Sequence, residues 1–318
     1  MSFIGVDKYN ANTITTQLEN NLVSFIDDGL LKIGAFGTVS APLSNIHGSN
    51  MHILKPSNDV HNTANTLWQT SRKNWVHENI TGVNYSPLAF SGVTVGSSFY
   101  AAPTGNSTVG YTVNYKEGGI LLNSAISRSS TVTASYSYKL FNVEVANKSR
   151  IWKSLQSDSF AAPNFNNNYY SSGDYNVPSE HRTQLPTIIV ESVNRSKNTP
   201  FQLGDHSLLS KQTVLIHVLS ENKDDRDKIN DILNRQQGRY IHLYDINKLI
   251  ESGTYPLNFN GSVNTNRLEY DDILNNTDYR LMSTRFDKIT VSEMKFYGLD
   301  LHGSTIQIDN ELILNKNQ

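Results

Sequence analysis

The chain has 318 residues, no cysteine and a formal net charge of -2, with a sequence pI near 6.5. That length builds roughly two domain cores; the near-neutral charge lacks the basic footprint of a protein that grips a polyanion, and the missing thiols exclude disulfides, thiolate metal sites and a cysteine nucleophile together. Hydrophobic residues make up 37% and charged residues 18%, below averages of roughly 45–50% and 25%, but 16 Tyr, 12 Phe and 3 Trp supply enough large apolar bodies to exclude a disordered chain.

The first residues, Met1 to Val6, lack the basic and apolar regions of a leader, and no run nears the roughly 18 apolar residues of a membrane helix. The expectation is a chain made in the cytosol that stays soluble. An amphipathic helix follows. Asn12 or Thr13 can cap it, Ile14, Leu18, Leu22 and Phe25 recur at helical spacing, and the stripe runs to about Leu31 before Gly34 stops it. Its polar face carries Gln17, Glu19, Asn20 and Asp27.

From about Val39 to Pro178 the pattern turns to strands. Up to Asn79 it is weak, with scattered His and two Trp; Gly92–Phe99, Val109–Tyr115, Ile120–Leu122, Thr131–Tyr138 and Phe141–Val145 then form a series of short β-branched and aromatic runs separated by Gly, Asn and Ser. Val132, Ala134, Tyr136 and Tyr138 alternate with Thr131, Thr133, Ser135 and Ser137, the period-2 signature of a half-buried strand. Lys116-Glu117-Gly118-Gly119 closes a hairpin. Such spacing predicts a small sandwich or barrel. Asn164–Asn176 reads as a long surface loop. Asn-x-Ser/Thr triplets are no denser than 37 Asn and abundant Ser and Thr produce by chance, so they carry no glycosylation signal.

From about Arg182 the pattern changes again. Thr187–Val193 and Thr213–Leu219 are strands. A helix is capped by Asn222, with Asp224, Asp225 and Asp227 in its first turn, Ile229, Ile232 and Leu233 on its apolar face, Arg235 in its last turn and Gly238 beyond. Tyr240–Tyr244, Lys288–Met294 and Thr305–Leu314 are later strands, and Asp271-Asp272 starts another helix. The fold class is therefore α+β: a mixed or antiparallel sheet with helices on one face, interrupted by an inserted all-β, sandwich-like domain. The expected boundaries are 1–38 for the N-terminal helix of the α+β domain, 39–178 for the insert and 179–318 for the remainder.

Catalytic chemistry finds little purchase. The nine His include no pair at a metal-type helical spacing, and His217 and His242, each in a strand, lack the partners a ligand needs. Asp224, Asp225 and Asp227 are the one dense acidic cluster in a helix, explained by the helix dipole. No phosphate-binding glycine loop, dinucleotide fingerprint, nucleophile elbow or Ca²⁺ loop is present. No cofactor, metal or catalytic residue is therefore expected. Tyr100, Tyr111, Tyr115, Tyr136 and Tyr138 form either cross-strand pairs in a β core or an aromatic face for a neighbouring subunit or a sugar.

Two stretches carry a family resemblance. Tyr115-Lys116-Glu117-Gly118-Gly119-Ile120-Leu121-Leu122 and Ser130-Thr131-Val132-Thr133-Ala134-Ser135-Tyr136-Ser137-Tyr138-Lys139 resemble hairpin segments of tailed-bacteriophage virion proteins, with Leu122 in place of that pattern's Phe. The helix at Thr13–Leu31, the strands at Leu185–Glu191 and Thr213–Ser220 and the helix at Asp224–Arg235 are similar in order to tail terminator, or tail completion, proteins of the head–tail neck. The resemblance implies a structural virion subunit with no catalytic residues, self-associating into a ring, a hexamer in that family. It would meet neighbouring neck, adaptor, tail tube or sheath proteins in the virion, after assembly in the host cytoplasm. Ring contacts are then expected from the helix with Asp224, Asp225, Arg226 and Arg235, from the loop Asn194–Leu209 with Arg195 and Lys197, and from the β zone through Tyr136 and Tyr138. The alternative is a phage receptor-binding or carbohydrate-binding module that uses the β zone.

Overall fold

A computed structural model describes residues 13–40, 51–57, 62–80, 86–102, 110–157, 184–202, 207–294 and 301–314. Helix α1 (Ile14–Lys32) opens on Thr13, whose hydroxyl accepts from the Thr16 amide at 3.3 Å, and closes where Gly34 takes a φ of 84°. Its apolar stripe of Leu18, Leu22, Ile26 and Leu30 is buried. The face read as polar is docked too. Gln17 and Asn21, one turn apart, are both buried, and Glu19 accepts from the Ser192 amide at 2.8 Å.

After α1 the chain leaves through β1 (Phe36–Val39) and returns through β9 (Tyr136–Lys139), which pairs antiparallel with it from Phe36↔Lys139 to Val39↔Tyr136. Between them lie β2 (Ile53–Pro56), β3 (Leu67–Gln69), β4 (Gly92–Val95), β5 (Ser98–Ala101), β6 (Tyr111–Asn114), β7 (Gly119–Leu122) and β8 (Val132–Ala134). They form a seven-stranded antiparallel sheet in the order β5-β4-β8-β2-β3-β7-β6. Strand β2 joins its halves: Ile53 and Leu54 face β8, whereas Lys55 and Pro56 face β3. Leu54, Trp68, Trp75, Tyr111, Ile120, Val132 and Tyr136 share one core, with Trp75 stacked on Tyr136 at 4.3 Å between centroids.

Two expected strands are broken. Gly92–Phe99 folds back on itself as β4 and β5, because Gly96 takes a φ of 61° in the turn. Thr131–Tyr138 alternates in burial only as far as Tyr136, since Ser137 is buried with both neighbouring tyrosines, and it breaks at Ser135, where β8 ends its ladder with β4 and β2 and β9 begins its ladder with β1. Phe141–Val145, read as the last strand of the β zone, contributes β10 (Asn142–Val145) to a different sheet.

That second sheet has six strands in the order β10-β11-β12-β15-β14-β13, with β11 (Thr187–Pro200), β12 (Leu208–Ser220), β13 (Tyr240–Tyr244), β14 (Arg280–Glu293) and β15 (His302–Leu314). Only β10 and β11 pair in parallel. One face carries α1 and α3 (Lys223–Asn234) over Ile188, Val190, Ile216, Val218, Ile306 and Ile308. The expectation of helices on one face is corrected by α2 (Arg150–Ser157), which sits on the other: Ile151 and Trp152 pack with Ile189 and Leu219. The reason is strand periodicity, since Ile188 and Ile189 point to opposite faces and both are fully buried. Two short helices, α4 (Ile246–Glu251) and α5 (Tyr270–Asn275), form a satellite cluster with Tyr244 through Ile246, Leu249 and Ile273.

Asn21 completes the end of β13 as a strand would. Its amide nitrogen donates to the Tyr244 carbonyl at 3.0 Å, and its side-chain oxygen accepts from the Tyr244 amide at 2.9 Å. Gln17 repeats the device one turn earlier, accepting from the Ile246 amide at 3.0 Å and donating to Asp245 at 3.0 Å. Replacing Asn21 by Ala strands a buried donor and acceptor. It is expected to lower stability by about 1–3 kcal/mol, measured as a shift of the urea midpoint without a change in slope.

Candidate functional site

The densest group of half-buried charge lies where α1 meets β9. Asp27 is one turn from the end of the apolar stripe, and Lys139 is the last residue of β9. The Lys139 ammonium donates to Asp27 at 2.6 Å and to Glu78 at 2.6 Å. The His77 ring nitrogen Nε2 lies 3.3 Å from Glu78, whose other oxygen accepts from the His77 amide at 3.0 Å. Gln184 donates to the Lys139 carbonyl, so the segment entering β11 also touches the cluster.

Burial and charge pull these groups in opposite directions. Burial raises Asp27 to about 6, against the pull of Lys139. Burial would raise Glu78 also, but His77 and Lys139 hold it well below the usual carboxylate range. Burial would lower Lys139, and the two carboxylates outweigh it and hold it above the ordinary lysine value. Burial lowers His77 to about 4, with Glu78 opposing. Burial thus favours a neutral His77 at pH 7, with Nε2 3.3 Å from Glu78 and the buried Nδ1 without a hydrogen-bond partner. One cation between two acids, beside a neutral imidazole, is an arrangement that joins three chain segments.

Two further clusters sit on the second sheet. His217 bridges Glu191 at 2.9 Å through Nε2 and Thr305 at 3.0 Å through Nδ1, with Trp152 stacked on its ring at 4.0 Å. Carboxylate, imidazole and hydroxyl in a row have the order of a proton relay, but the ring lies under Trp152 and is buried. Arg226 is buried on α3 and donates to Asp227 at 2.7 Å and Glu293 at 2.7 Å, tying the helix to the end of β14. Among the described residues no group of three or more His, Cys, Asp or Glu converges as a metal site would.

The expected interface residues separate into three kinds. Asp224, Asp225 and Arg235 are exposed on α3, with Arg235 3.3 Å from Asp231. Lys197 is exposed on β11, and the Arg195 side chain lies outside the described residues. Arg226, Tyr136 and Tyr138 are corrected: all three are buried. The tyrosines fill the first sheet's core because the alternation that suggested a face points them inward; Arg226 is held by its two acids. The expected loop Asn194–Leu209 is also corrected, since β11 runs on to Pro200 and β12 begins at Leu208. The expected loop Asn164–Asn176 lies outside the described residues. Lys139, Glu78 and His77 went unnoticed in the sequence. Lys139 and Asp27 are 112 positions apart, so no local pattern links them.

No family model and no curated protein matches the chain. The geometry alone therefore defines what the cluster does, and pH tests it. An unfolded histidine titrates near 6.5 and folded His77 near 4, so between those values only the unfolded chain takes up this proton and stability falls with falling pH. Asp27, raised from 3.8 to about 6, works the other way, since its folded form takes up a proton first as pH falls. Comparing wild type with His77→Gln isolates the histidine. The variant is expected to lose less stability between neutral pH and about pH 4.5, by on the order of 2 kcal/mol, read from urea titrations at the two pH values; equal losses in both proteins exclude a neutral buried His77.

Proposed function

We propose that the chain is a structural virion subunit of a tailed bacteriophage: a ring-forming tail terminator or neck component that helps join capsid and portal to tail. One observation carries this reading. The chain leaves directly after α1 through β1 and returns through the adjacent β9, and α1 then covers the sheet built by everything that follows. With β10 and α2 added between the insertion and the paired strands, the order helix, paired strands, helix and strand follows the sequence resemblance, and it supports this reading. The expected partners are further copies of the chain and the neighbouring neck, adaptor, tube or sheath proteins.

The polar clusters support an assembling role over a catalytic one. Each ties two or more elements together: α1 to β9 through Lys139, α3 to β14 through Arg226, and β11 through β12 to β15 through Glu191, His217 and Thr305. Catalysis needs groups that converge on a space a substrate can enter. The recess lined by Leu22, Phe25, Ile216, Leu233, Phe286 and Ile308, between α1 and α3, is apolar apart from Gln236. The sugar-binding alternative loses the Tyr136 and Tyr138 face it relied on, because both are core residues.

Sedimentation velocity across a concentration series, with negative-stain imaging of the protein alone and mixed with portal and tube proteins, tests the proposal. The expected outcome is one closed oligomer, formed alone or on the partner. A chain that stays monomeric throughout and binds neither partner overturns the proposal.

A further inference from the structure

Among the described residues, the second sheet ends in two edges that are only partly paired. On one side β10 covers only Thr187–Val190 of β11, and among the described residues no strand pairs with the outer edge from Glu191 to Pro200; the Glu19 carboxylate caps the Ser192 amide there. On the other side β13 covers β14 from Arg280 to Arg285, Arg239 and Gly238 bond Phe286, and no described strand pairs with the outer edge from Asp287 to Glu293. Unpaired edges of this kind are templates for another chain. The β14 stretch, Lys288-Ile289-Thr290-Val291-Ser292, has the β-branched composition of a strand, and Val291 is exposed.

The two edges are complementary in direction and outline. Strands β11, β12, β15 and β14 alternate in direction, so β14 runs opposite to β11. A second copy placed in the same orientation beside the first therefore offers β11 antiparallel to β14. The covered half of each edge lies level with the free half of the other: Ile188 is in row with Val218, Ser304 and Glu293, and Asn198 with Ser210, Leu312 and Thr284. The outline is a step at each side, and the steps interlock when a copy shifts along the strands. Charge does not select the contact, because the two acids of the β14 stretch are paired within the copy, Asp287 with Lys211 at 3.5 Å and Glu293 with Arg226 at 2.7 Å.

We infer that copies of this chain join head to tail by continuing the six-stranded sheet, with β14 of one copy pairing antiparallel with β11 of the next. This rests on the self-assembling reading above and supplies its contact. The interlocking shift is about five residues, or about 16 Å at ~3.3 Å per residue, across a width of about 19 Å for four strands at ~4.8 Å. The implied strand tilt is about 40°, within the ~35–45° at which sheets close on themselves. A head-to-tail contact forms a ring when its rotation closes.

The absence of native cysteine makes the test clean. Thr290→Cys on β14 and Asn198→Cys on β11 both replace exposed residues. Each variant is checked for cooperative urea unfolding, then oxidised alone, mixed with the other, and followed by sedimentation. The expected result is a disulfide-linked dimer in the mixture, its loss in either variant alone, and a ladder of longer products when one chain carries both cysteines. Dimers from a single variant alone would mean a two-fold contact and overturn the inference. Assembly with no cross-link in the mixture would overturn this contact while leaving the self-assembling reading standing. No association of any kind would remove both.

Discussion

One half-buried ammonium group joins the two parts of the fold. Lys139 sits where the returning strand of the first sheet meets the helix that covers the second, and it holds Asp27 on one side and Glu78 on the other. Taking such charges out of water costs several kcal/mol per ion, so the cluster adds little to stability compared with packed apolar side chains. What it does is select. Remove one partner and a half-buried charge loses its compensation, which disfavours arrangements that do not bring α1, β9 and the His77–Glu78 segment together. Helix α1 then distributes that constraint: Asn21 and Gln17 fix the end of β13, and Glu19 caps β11.

The elements that local chemistry defines were legible in the sequence. Helix α3 begins on Asn222, as its capping pattern requires, and α1 ends at Gly34 because glycine takes the positive φ there. Strands β11 and β12 were recognised but cut short, because their outer halves carry Lys, Asn, Gln and Ser that read as loop until a neighbouring strand supplies the ladder; β14 lost its first half, Arg280–Asp287, and β15 only its first three residues. The breaks at Gly96 and Ser135 were missed because residues of strand composition lie on both sides of each. The side on which α2 packs was also hidden, since strands fully buried on both faces lose the pattern that would show a second covering layer.

The polar groups were the least legible. Asp27, Gln17 and Glu19 lie on the side of α1 away from its apolar stripe, and a one-helix view assigns them to water. Their partners, Lys139, Ile246 and Ser192, lie far along the chain. Buried tyrosines misled in the opposite sense. An aromatic row on a strand has the same composition whether it faces a core or a neighbour, and only the stacking of Trp75 on Tyr136 decides between them.

The paired stem of β1 and β9 has a consequence for how this chain can change over generations. The Leu140 amide donates to the Ala35 carbonyl at 3.1 Å, so the entry and exit of the whole excursion are one hydrogen bond apart. A cassette attached at such a point can be lengthened, trimmed or exchanged while the sheet under α1 keeps its register, because closing a long loop costs only slightly more than closing a short one. One condition travels with the exchange. An incoming cassette must bring its own cation to Asp27, or the host helix must give up that carboxylate.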